Sequence, residues 1–167
     1  ATRSFGPAAS TAGGGQYRLC WCAASYGGSL DENFRVDVGK VTIAGPRPLS
    51  QLRPCISGQH CYLGGLTGHA IQDGDKLLVL DTCGVMESTI PRIMHPTDTL
   101  ANVVVLTAGG ADAAWEPRMS TAAGGHYKLG WCAHLQLCSQ TEHFRTDLGM
   151  VTVIGPAPLQ QMRTCIL

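Results

Sequence analysis

Residues 1–57 align without a gap onto residues 111–167 at a constant offset of 110, and 28 of the 57 aligned positions are identical. The identities include Gly14/Gly124, Tyr17/Tyr127, Leu19/Leu129, Trp21/Trp131, Cys22/Cys132, Phe34/Phe144, Gly39/Gly149, Gly45/Gly155 and Cys55/Cys165. A solenoid repeat runs roughly 20–50 residues, whereas a β-sandwich takes about 100, so each repeat is expected to be a domain. The phase of the repeat then divides the chain. A unit ending at Leu167 begins at Gly58, so 58–167 reads as one complete module and 1–57 as the C-terminal half of a preceding one. Half a sandwich exposes an apolar face and unpaired strand edges, so the counterpart of 58–110 is expected from upstream sequence or from a neighbouring molecule. The start at Ala1 rather than Met is in keeping with a processed product or a segment of a longer chain.

The local pattern is that of strands. Tyr17, Leu19 and Trp21 alternate with Arg18 and Cys20, and Tyr127, Leu129 and Trp131 repeat the alternation. This period of two marks a half-buried strand with its aromatic side inward. Phe34, Val36 and Val38 alternate up to Gly39, after which Val41 and Ile43 resume on a shifted register, as at a bulge. The expected core is therefore Tyr17, Leu19, Trp21 and Phe34 in the first repeat, with Tyr127, Leu129, Trp131 and Phe144 in the second. Segments 61–66, 76–81 and 100–107 read as further strands, with Asp73-Gly74 turning into the second. The fold class is all-β, as antiparallel sandwich modules with a period of 110 residues.

Composition narrows the functional classes. Twelve Lys and Arg balance twelve Asp and Glu, and no basic run interrupts the balance, so nucleic acid is not an expected partner. The apolar runs 77–80 and 103–106 are far shorter than a membrane-spanning helix needs, so this segment is expected to contain no membrane span. Eight cysteines favour an oxidising compartment. Cys132 and Cys138 are six apart, as are Cys55 and Cys61, and local bridges within each pair are expected. Cys83 to Cys132 is the sheet-to-sheet alternative. Its drawback is that Cys132 lies on the strand face opposite Trp131. Cys20, Cys22 and Cys165 complete the disulfide candidates.

The string Gly14-Gly15-Gln16-Tyr17-Arg18-Leu19-Cys20-Trp21-Cys22, followed by 34–46, resembles the tandem Ig-like repeats of very large cysteine-containing surface or secreted proteins of alveolate protists, of dinoflagellate and apicomplexan type. The resemblance covers both repeats and departs at Gly130, where the first cysteine of Cys-Trp-Cys is missing. It implies Ig-like modules in an extracellular array or surface coat, and transfers no catalytic residue.

Motifs for catalysis are missing from the sequence. The six histidines are scattered without a zinc-binding spacing, and no Gly-x-Ser-x-Gly elbow occurs. Asp73-Gly74-Asp75 reads as a turn with two solvated aspartates rather than a calcium loop. No cofactor or metal and no enzymatic activity are expected. Arg35-x-Asp37 and Arg145-x-Asp147 recur on an outer strand face, as surface ion pairs or as contacts between modules. The leading expectation is an extracellular structural protein whose partners are other copies of the same repeat, in a fibre, appendage or coat. The alternative is an adhesion or glycan-binding module that uses loops at the end of the sandwich.

Overall fold

The computed structural model describes residues 10–81 and 103–161. Its strands, in chain order, are β1 (Gly15–Trp21), β2 (Val36–Ile43), β3 (Gly45–Pro46), β4 (Gln51–Ile56), β5 (Gln59–Leu63), β6 (Gly68–His69), β7 (Lys76–Leu80), β8 (Val103–Val105), β9 (Ala113–Ser120), β10 (Gly125–Cys132) and β11 (Thr146–Ile154). Among the described residues the fold is all-β, with helical geometry confined to single 3-10 turns. The strands expected over 61–66, 76–81 and 100–107 correspond to β5, β7 and β8; residues 100–102 lie outside the described residues.

The main sheet has five strands in the order β4-β11-β10-β7-β8. All its pairings are antiparallel except β4 with β11, which run parallel from Gly149↔Gln51 to Ile154↔Ile56. That pairing departs from the wholly antiparallel arrangement expected, because β4 reaches β11 by crossing between layers and not by a hairpin. The chain turns at Ser57-Gly58 into β5, which pairs with β9 in a separate two-stranded sheet, and a disulfide from Cys55 to Cys61 closes this corner. The boundary expected before Gly58 lies between β4, which pairs with β11, and β5, which pairs with β9.

At β7 and β10 both faces of the main sheet are covered. On one, Leu77, Val79, Leu129, Trp131, Val151 and Val153 form a buried cluster with Cys61, Leu63, Ala113 and Trp115 of the β5–β9 pair. On the other, Leu78 and Leu80 pack with Phe144, Cys132 and Cys138. This explains the unbroken apolar run of β7, since a strand buried on both faces has no polar side to alternate with.

One buried polar residue fastens the edge of the first cluster. Asp75 is 1% exposed. Its carboxylate accepts hydrogen bonds from the Trp131 indole Nε1 at 3.2 Å, the His134 amide at 3.0 Å and the Gln72 amide at 3.2 Å, and lies 3.1 Å from His134 Nδ1. The expectation of two solvated aspartates thus fails at Asp75. It shares the parity of Leu77 and Val79 and so points into the core. Asp73 is the partner that caps a neighbouring turn, accepting from the amides of Gly109 and Gly110.

Trp131→Ala should cost about 3–5 kcal/mol of unfolding free energy by urea titration, as expected of a buried aromatic ring, whereas Trp21→Ala should cost less than about 1 kcal/mol. Asp75→Ala should destabilise by about 1–3 kcal/mol for each buried donor it strands, and Asp75→Asn, which keeps an acceptor, by less.

Candidate interaction surface

Hairpin β1–β2 is a second edition of hairpin β10–β11. Both ladders run from a glycine paired to an aliphatic residue (Gly15↔Ile43, Gly125↔Val153), and both shift register directly after the leucine pair, Leu19↔Gly39 and Leu129↔Gly149. Local bonds coincide as well. Tyr17 Oη donates to the Gly13 carbonyl at 2.6 Å and Tyr127 Oη to the Ala123 carbonyl at 2.9 Å. The bulge amides of Gly39 and Gly149 donate to Asp37 and Asp147, each at 2.9 Å. Burial, with the charge of Asp81 adding to it, holds the Tyr127 phenol above its ordinary pKa of 10.0.

What differs is the surroundings. Hairpin β10–β11 lies between β7 and β4, while among the described residues β1 and β2 pair only with each other. Exposure follows: Trp21 is 52% exposed against 7% for Trp131, Leu19 37% against 0% for Leu129, and Phe34 40% against 0% for Phe144. Tyr17, Val36 and Val38 are exposed on the same hairpin. The structure thus places Leu129, Trp131 and Phe144 in the core with Tyr127 partly buried against it, and leaves Tyr17, Leu19, Trp21 and Phe34 in the open.

The bulge glycine records the missing neighbour most sharply. Gly39 and Gly149 have φ of 127° and 135°, a region that side chains disfavour. A Cβ on Gly149 would overlap the backbone of Gln51 in β4, whereas no atom lies within 4 Å of the same position on Gly39. Beside the bulge the groove floors also match. Trp21, Cys22, Ala23, Asn33, Arg35 and Val36 line an open groove. Their six counterparts, 110 residues on, line a cavity of about 600 Å³ whose other wall is Ser10, Ala12, Ile43, Ala44 and Gly45.

The repeated charged pairs divide their roles. Arg35 and Arg145 donate through Nε to the carbonyls of Glu32 and Glu142 at 3.0 and 2.9 Å. The aspartates face the preceding strand instead: Asp37 lies 3.8 Å from Arg18, and Asp147 2.9 Å from Lys128. The ion pair expected within each Arg-x-Asp is thus a cross-strand pair with a different cation, because the two residues serve different turns.

Cys55–Cys61 and Cys132–Cys138 are bonded, which leaves no place for the Cys83–Cys132 alternative. Cys20 and Cys22 are free, and Cys83 and Cys165 lie outside the described residues. The residue 110 before Cys138 is Gly28, and its Cβ would stand 3.9 Å from that of Cys22. Among the described residues no group of three His, Cys, Asp or Glu side chains could hold a metal, and no helix is long and apolar enough to cross a membrane. No family model, curated protein or solved structure matches the chain.

Gly28→Cys should place its Cβ within the roughly 3.5–4.5 Å that a bridge requires of the Cys22 Cβ, with only the end of the Phe34 ring to move aside. Mild oxidation followed by non-reducing peptide mapping should find a Cys22 bridge to position 28. A Cys22 thiol still fully titratable in that variant would contradict the equivalence of the two hairpins.

Proposed function

We propose that this protein is an extracellular structural repeat protein whose Ig-like β-sandwich modules assemble end to end into a fibre, appendage or surface coat, without catalysis. The observation that supports this most is the contrast between two hairpins of the same register, one buried between β4 and β7 and the other, among the described residues, open at both edges and over Trp21, Leu19 and Phe34. An apolar area on the order of several hundred Å² with two free strand edges marks an interaction surface. Because the covered end and the open end are different surfaces, contact between them is heterologous and does not close, so it propagates as an array. Two local disulfides fit a secreted or cell-surface location.

Trp21 beside Asn33 and Arg35 also has the composition of a sugar-stacking groove, and this favours glycan adhesion as the second reading. The equivalent groove at Trp131 is walled by polypeptide of the preceding repeat, which favours protein as the natural cover. Sedimentation velocity of the full chain should show elongated oligomers that grow with concentration. A compact monomer throughout the range would contradict the array, and retention of that monomer on a glycan array would select adhesion.

A further inference from the structure

The residues at the joint between the two repeats have counterparts 110 residues away in the sequence. At the joint, the end of the first repeat covers the hairpin of the second in two places. Strand β4 lies parallel along β11, from Gly149↔Gln51 to Ile154↔Ile56. Ile43, Ala44 and Gly45 wall the groove at Trp131, where a Cβ on Gly45 would touch the indole ring at 3.6 Å. Adding 110 to the donor residues gives Val153, Ile154, Gly155 and the segment Gln161-Met162-Arg163-Thr164-Cys165-Ile166. Subtracting 110 from the acceptor residues gives β2 and the open groove at Trp21.

We propose that one copy of this chain docks its C-terminal segment onto hairpin β1–β2 of the next. Residues 161–166 add as a parallel strand along β2 in the register Gly39↔Gln161 to Ala44↔Ile166, and Ile154-Gly155 closes the Trp21 groove. The joint rests on the array reading given above and names its contact.

Four features fit donor to acceptor. The donor matches β4 in pattern: Gln51-Leu52-Arg53-Pro54-Cys55-Ile56 against Gln161-Met162-Arg163-Thr164-Cys165-Ile166, with Gln, Arg, Cys and Ile in common. It also starts the same way, since Gln161 Nε2 donates to the Pro158 carbonyl at 3.0 Å as Gln51 Nε2 does to Pro48 at 3.1 Å. On the acceptor, Gly39 leaves open the space that Gln51 fills against Gly149. Gly45 is buried under Trp131, while Gly155 is exposed. Strand addition to a free edge supplies affinity through main-chain hydrogen bonds, and the alternate side chains fix the register.

Disulfide trapping reads that register directly. Val153 faces Cys55 across the known ladder, so Ile43 should face Cys165 across the proposed one. A synthetic peptide of residues 158–167 would be incubated under mild oxidation with the full chain carrying Cys20→Ser, Cys22→Ser and Cys165→Ser together with either Ile43→Cys or Thr42→Cys. Since successive side chains point to opposite faces, the adduct at position 43 should exceed that at 42 by about tenfold. Equal adducts, or none, would overturn the joint.

Sedimentation of the unmodified full chain, with and without residues 162–167, separates the two claims. Removal of the segment should abolish association. Association that persists without it, with no selective trapping, would leave the array standing and overturn this joint. Selective trapping on a chain that is always monomeric would support the joint and contradict the array.

Discussion

A β-hairpin has two edges and at least one apolar face, and in this protein everything follows from whether those are covered. Hairpin β10–β11 receives β7 on one edge through the antiparallel ladder from Lys128↔Leu80 to Cys132↔Lys76, and β4 on the other through the parallel ladder at Gly149. With both in place the faces close, and Leu129, Trp131 and Phe144 leave water. Each fully buried side chain of this kind contributes roughly 1.5–3 kcal/mol relative to its exposed state. Hairpin β1–β2 has the same ladder register, bulge and tyrosine bond, but among the described residues it has neither flanking strand. Local sequence makes the hairpin, and neighbouring strands make it part of a core.

Much of this was legible in the residues. The bulge at Gly39 and Gly149 was visible because the aliphatic positions change parity there. The two six-residue cysteine loops were legible because both partners sit close in sequence. The aromatic row's inward side is correct where a core exists to receive it, at Leu129 and Trp131. The sequence pattern of β1 is the same, so periodicity alone says which side would be buried and not whether anything covers it.

Other features depended on contacts that spacing does not encode. The parallel β4–β11 pair joins segments nearly 100 residues apart, and no period-2 count specifies a strand's partner. Asp75 is hidden in plain view. A turn motif suggested a solvated carboxylate, yet its parity with Leu77 and Val79 points it inward, where three hydrogen bonds from Trp131, His134 and Gln72 offset its burial. A Cβ at Gly130 would meet the Phe144 Cβ and carbonyl of its own hairpin at 3.0 Å, so the exchange of Cys20 for Gly130 is not explained by the strands that flank one hairpin and not the other.

Two hairpins of one ladder register differ in stability because, among the described residues, only one is flanked. Residue-resolved amide hydrogen exchange on the dilute monomer reads that difference. The ladder amides of 125–132 and 146–154 should exchange only through global unfolding, while those of 15–21 and 36–43 should exchange by local opening, at least about a hundredfold faster. Equal protection in the two hairpins would contradict it.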